Sequence, residues 1–194
     1  MIAEIPPRVV VLAGINGAGK TTASKELLSD VLKIPTFVNA DAIARGINGL
    51  NPESVSLAAG RIMLDRMREL ISQKDSFAFE TTLAARTYAN MLESMRAIGY
   101  EVHLYYYWLD SAELAINRVA SRVQSGGHHV PEHTIRLRYA RSIRNFFDLY
   151  RPLADWWEVY DNSYGLRNLI AIGRREDTIV GDERLWETFE RSGS

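Results

Sequence analysis

The chain of 194 residues has no cysteine, which excludes disulfides, thiolate metal sites and cysteine nucleophiles together. It also lacks an excess of charge of either sign. The formal net charge is −1, so no global field draws the protein onto nucleic acid or an anionic membrane. No uncharged apolar run approaches the roughly 18 residues of a membrane helix. Met1–Arg8 shows no basic leader followed by an apolar stretch, so no secretory signal is expected. No period recurs and no segment is of low complexity, which excludes solenoids and tethered arrays. What is present is an ordinary globular balance, with 46% hydrophobic and 24% charged residues. These features predict one soluble, cytoplasmic domain over residues 1–194.

Short β-rich runs alternate with longer helical ones. Strands are expected at Arg8–Ala13, Thr36–Asn39, Ser76–Glu80, Tyr100–Leu109, Trp156–Tyr160 and Asn168–Ile172. Helices are expected at Lys20–Lys33, from Asn51-Pro52-Glu53 to about Gln73, Arg86–Ile98, from Asp110 to about Gln124, Pro131–Tyr150 and Glu183–Glu190. Asp110-Ser-Ala-Glu113 reads as a capping box. The alternation predicts an α/β fold with a mostly parallel sheet. A helical excursion over about 115–150 is read as a lid.

Gly14-Ile-Asn-Gly-Ala-Gly19-Lys20-Thr21 matches the phosphate-loop pattern G-x4-G-K-S/T in full. With glycine at about 7% of residues, a chance match in a chain this long is of order 1% or less. Glycines let successive N–H groups turn inward around a triphosphate, and the following helix points its positive end at it. Gly14, Asn16, Gly17, Ala18, Gly19, Lys20, Thr21 and Thr22 are therefore the candidate nucleotide contacts. Lys20 is expected to reach the β- and γ-phosphates, and the Thr21 hydroxyl to ligate Mg²⁺. None of the four lysines, at 20, 25, 33 and 74, sits in a guanine-reading motif, so the nucleotide is read as ATP.

Ligands of an open α/β sheet sit outside the carboxyl ends of its strands. Asn39-Ala-Asp41 and Glu80-Thr81-Thr82 follow the second and third expected strands and meet the phosphate loop at that edge. Asp41 is a candidate base for the proton of an attacking hydroxyl; the alternative is a cap for residues 42–45. Glu80 is a candidate for a magnesium-bound water or the acceptor, with Thr81 and Thr82 beside it and Arg45 further along; the alternative is a solvated strand end. Asp110 reads as a helix start rather than a metal acid.

From Arg118 to Arg151 there are seven arginines, no lysine and two acids, Glu132 and Asp148. Arginine's planar, permanently charged fork suits phosphate oxygens, so two helices joined by Gln124–Pro131 are read as a lid over the triphosphate. The alternatives are a salt-bridged helix pair or, less in keeping with a chain that is not basic overall, a nucleic-acid surface. His128, His129 and His133 lack further ligands of metal-site spacing and are read as substrate contacts or plain surface. The aromatic groups Tyr105–Trp108 and Trp156-Trp157 are read as packing.

Gly14–Thr22, Asn39-Ala-Asp41, Phe79-Glu80-Thr81-Thr82 and the stretch Arg122 through Val130-Pro131 to Arg136 together resemble the zeta-toxin family of P-loop kinases. Arg118-Val-x-x-Arg122-Val-x-x-Gly126-Gly-His-x-Val-Pro131, with Asp161-Asn-Ser163 later, looks most like the family's compact branch. The resemblance spans about residues 8–163 and implies a P-loop kinase-like three-layer α/β sandwich with a mostly parallel, five-stranded sheet and a helical lid. It further implies transfer of a phosphoryl group from ATP to a sugar hydroxyl of UDP-N-acetylglucosamine, with Mg²⁺. It implies a small-molecule acceptor and an antitoxin partner. By the same likeness Lys20, Asp41, Arg122 and Arg136 are catalytic, and Arg138 is the alternative to Arg136. Thr21 and Glu80 serve the metal, and Asp161, Asn162 and Ser163 fall where related kinases hold adenine. An ATP-hydrolysing regulator without a small acceptor and a nucleoside or RNA-end kinase are the competing readings.

Overall fold

Val9 to Ala13 are buried at every position, the mark of a strand covered on both faces. The computed structural model describes residues 5–127, 129–175 and 177–193. The reading of His128 lies outside the described residues, and the side chains of Lys25 and Glu26 are likewise not described.

Around that strand, β1 (Arg8–Gly14), run β2 (Thr36–Val38), β3 (Phe77–Thr81), β4 (Glu101–Trp108) and β5 (Trp156–Asp161). All five are parallel, in the order β2-β3-β1-β4-β5. Two antiparallel strands, β6 (Asn168–Arg174) and β7 (Asp177–Val180), extend the β5 side, so the sheet has seven strands and not the expected five. β7 escapes a pattern reading because Asp177, Thr178 and Ile179 are all exposed, and an edge ribbon leaves no alternation to detect.

The helices are α1 (Lys20–Glu26), α2 (Ala40–Ile47), α3 (Ser56–Gln73), α4 (Thr87–Ala97), α5 (Ala112–Gln124), α6 (Glu132–Asn145) and α7 (Glu183–Arg191). α3 is preceded by a separate 3₁₀ turn, Pro52–Val55, capped by the Asn51 side chain. The expected single helix from Asn51 is therefore two pieces. α5 is capped by Ser111, whose hydroxyl accepts from Leu114 N, and not by Asp110. No described helix is long and apolar enough to cross a membrane.

Packing at the two ends of the sheet differs. Met63, Met67 and Leu70 of α3 and Leu92 and Met95 of α4 join Phe77 and Phe79 in the core. At the other end Tyr106, Phe146, Phe147, Trp157, Trp186 and Phe189 form a continuous aromatic cluster with centroid spacings of 5.1–5.9 Å, within the range of favourable ring pairs.

Candidate functional site

The parallel register brings three strand ends together. Leu12 and Ala13 of β1 pair with Glu80 and Thr81 of β3, and Val38 of β2 pairs with Phe79. The phosphate loop, Glu80 and Asn39 therefore emerge side by side at one edge, as expected for an α/β sheet.

Glu80 organises the junction. Its carboxylate accepts from the Thr21 hydroxyl at 2.9 Å and from Asn39 Nδ2 at 3.0 Å, and lies 3.6 Å from Lys20 Nζ. At 15% side-chain exposure it is not a solvated strand end. Lys20 Nζ also donates to the Ile15 carbonyl at 3.0 Å. Burial lowers the Lys20 pKa, and the charges of Glu80 and Asp41 oppose that shift while Arg122 adds to it.

Asn39 has a second task. Its side chain accepts from Ala42 N at 2.9 Å and caps α2. The capping role considered for Asp41 thus belongs to Asn39, leaving the exposed Asp41 carboxylate in the first turn with its face to the site. Neither role of Asn39 was legible as such; Asn before a helix start was the available signal.

Three cavities adjoin this junction, and Asp41 lines all of them. The first, about 260 Å³, holds Lys20, Thr21, Thr22, Glu80, Arg118 and Arg122 with the phosphate loop. The second, also about 260 Å³, holds Thr81, Thr82, Met63, Tyr88 and Arg138 together with Lys20 and Glu80. The third, about 420 Å³, lies between α2, the 3₁₀ turn and Gly126-Gly127, and includes Arg45. Arg118 was read as one of the lid arginines, and the structure brings it to the phosphate loop beside Arg122. Met63 and Tyr88 were not read as site residues.

The two candidate arginines of α6 separate. Arg138 Nη1 donates to Asn16 Oδ1 of the phosphate loop at 3.3 Å and lines the second cavity. Arg136 points elsewhere: it is exposed, paired with Glu113 of α5, and holds that carboxyl below the usual range. Residues 136 and 138 are about 200° apart around a helix, so one residue of alignment reverses the side.

Asp161-Asn-Ser163 forms a turn that is bonded to its surroundings. Asp161 and Ser163 are each 4% exposed and bond to one another, the Asp161 carboxylate accepting from Ser163 N and Oγ. Ser163 Oγ in turn accepts from Asp110 N, and Arg118 Nη2 donates to the Ser163 carbonyl. Asn162 Nδ2 donates to the Ala18 carbonyl at 2.8 Å. A Cβ on Gly19, whose φ is +79°, would stand 2.6 Å from that Nδ2. The turn braces the phosphate loop from behind.

A phosphate loop on β1, acids at the ends of neighbouring strands and a helical hairpin above them define a P-loop NTPase of the kinase-like type. The chain belongs to the AAA domain family, whose model matches residues 9–142. It is 30% identical over 132 residues to an uncharacterized protein of Haemophilus influenzae, covering 68% of this chain and 92% of that protein. In fold it is similar to the AvrRxo1-ORF1:AvrRxo1-ORF2 structure with sulphate ions, at a TM-score of 0.77 and 15% identity over 96% of this chain and 64% of that one. The same complex with ATP gives a TM-score of 0.73 at 13% identity, with the same shares covered. The chain thus spans less than two thirds of the AvrRxo1 chain. The PezAT chromosomal toxin–antitoxin system of Streptococcus pneumoniae aligns at a TM-score of 0.66 and 17% identity, over 96% of this chain and 79% of that one.

Proposed function

We propose that the protein is an ATP-dependent phosphotransferase of the zeta-toxin kind, passing the γ-phosphate to a hydroxyl of a small acceptor such as a UDP-N-acetyl sugar. The observation that carries this is the position of Asp41, whose carboxylate lines the phosphate-loop cavity and both cavities beside it. A base that serves transfer to an acceptor has to meet the nucleotide on one side and the acceptor on the other.

The remaining groups fit the same chemistry. The phosphate-loop N–H groups and Lys20 hold the triphosphate, while Arg122 and Arg138 offer charge from two sides as it develops on the transferred group. The Thr21 hydroxyl and Glu80 carboxylate are hard oxygen donors suited to Mg²⁺, either directly or through water. When bound, that ion neutralises charge shared between the phosphates. Asp41 would take the hydroxyl proton, with Thr81, Thr82 and Arg45 orienting the acceptor. The fold neighbours come from an ATP complex and a toxin–antitoxin system; on that likeness alone the reading extends to ATP as donor, a cytoplasmic setting and an antitoxin-type partner.

The test is incubation with ATP and Mg²⁺ across nucleotide sugars, free sugars, nucleosides and 5′-hydroxyl RNA, with product masses measured. A nucleotide sugar that gains one phosphoryl group is the expected outcome. Conversion of ATP to ADP and inorganic phosphate with no acceptor modified contradicts it, and RNA as the acceptor moves the protein to another class of kinase.

A further inference from the structure

The loop between α5 and α6 lines one cavity and packs on an arginine that lines another. Gly126 and Gly127 form one wall of the 420 Å³ cavity, across from Asn51, Pro52 and Glu53. The next described residue, His129, donates its backbone N–H to Glu53 Oε1 at 3.0 Å, a bond between positions 76 apart in sequence. This bond ties the loop to the 3₁₀ turn across the cavity mouth.

The same loop packs on Arg122. Gly127 N donates to the Arg122 carbonyl at 2.9 Å. A Cβ on Gly127 would lie 2.5 Å from Arg122 Cγ, 2.9 Å from its carbonyl oxygen and 3.1 Å from Cδ. No side chain fits there while the arginine keeps its place, so the missing side chain of Gly127 is the seat of the Arg122 stem. The head of Arg122 lines the phosphate-loop cavity and lies near enough to Lys20 to weigh on its charge.

We propose that Glu53 is a positioning residue that latches the Gly126-Gly127 loop over the larger cavity, and that the latched loop seats Arg122 toward the triphosphate. Occupancy of the acceptor cavity and readiness of the phosphate-side arginine are then one event. An acceptor that fills the cavity touches the turn and the loop together, so it favours the latched arrangement and with it the placed Arg122. That arrangement favours transfer over wasteful hydrolysis. The proposal rests on the phosphotransferase reading for its consequence in turnover, but not for the latch itself.

Two measurements on the full chain test it, with Glu53→Ala, Glu53→Gln and Gly127→Ala. The amide oxygen of Gln can still accept the His129 N–H, so Glu53→Gln is the conservative rescue. In amide hydrogen exchange, Glu53→Ala should raise exchange across 125–130 about tenfold, through loss of the charge-assisted bond from His129 N, and Glu53→Gln should restore protection. In turnover of ATP–Mg²⁺ with UDP-N-acetylglucosamine as the probe, Glu53→Ala should lower kcat about tenfold and raise the KM of the sugar nucleotide about fivefold, with the KM of ATP within about twofold. Gly127→Ala should lower kcat at least as far, and the double variant should add nothing, since both act through Arg122.

Unchanged exchange in Glu53→Ala overturns the latch. So does Glu53→Gln behaving like Glu53→Ala, or a loss that falls on the KM of ATP with kcat intact. If the wild-type protein does not modify the probe, the acceptor assignment fails, and the exchange measurement still decides the latch.

Discussion

Strands β1 to β3 and strands β5 to β7 lie in one sheet, yet among the described residues the first set gathers the polar groups of three strand ends at one carboxylate and the second does not. The carboxyl ends of β1, β2 and β3 point the same way and deliver Thr21, Asn39 and Lys20 within 2.9–3.6 Å of the Glu80 carboxylate. From β5 onward the strands alternate in direction, so their ends cannot converge on one edge, and the side chains there go into ring packing instead. Parallel pairing concentrates chemistry at an edge; antiparallel pairing lengthens the sheet and gives α7 a surface to cover. The brace at Asp161–Ser163 joins the two regimes, since it leaves β5 and bonds back to Ala18.

The comparison can be broken at its strongest point. Lys20→Ala removes the buried charge on the phosphate side and should lower turnover about 1,000-fold, with the melting temperature within a few degrees of wild type. Near-normal turnover would remove the phosphate loop from the chemistry.

Trp186→Ala should do the reverse. Trp186 is 7% exposed and stacks on Trp157 at 5.8 Å, so its loss should cost about 3 kcal/mol and lower the melting temperature by about 6–12 °C. Turnover per folded molecule should stay close to wild type. A fall in kcat at a temperature where the variant is fully folded would show that the aromatic end is not a passive support.

A narrower contrast lies within α6. Arg138→Ala should lower transfer about 100-fold, whereas Arg136→Ala should leave it within about twofold, because Arg136 meets Glu113 and not the cavities. Equal losses in the two variants would mean that the helical hairpin turns on closing.

Much of the parallel half was legible because its signals are local. Glycine spacing marked the loop, and short apolar runs followed by Asp41 and Glu80 marked the edge. The strand-to-strand register that puts Glu80 beside Thr21 was not legible, since β1 and β3 are buried in unbroken runs and offer no alternation to fix it. Arg136 and Arg138 were not separable, since the choice depends on the rotation of one helix about its axis. At Asp161–Ser163 polarity at a strand end is visible in sequence, but the bond from Asn162 to Ala18 that makes the turn a brace is tertiary and was not legible. Glu53 carried no signal at all, because its partner lies 76 residues away.

The central claim is that Asp41 stands where nucleotide and acceptor meet and takes the acceptor's proton. Asp41→Asn keeps the side chain's size and leaves the α2 cap with Asn39, while removing the basic carboxylate. Single-turnover phosphorylation of the acceptor should fall by about 100- to 10,000-fold, with ATP–Mg²⁺ affinity and melting temperature close to wild type. Phosphorylation at the wild-type rate, or a loss confined to ATP binding, would contradict it.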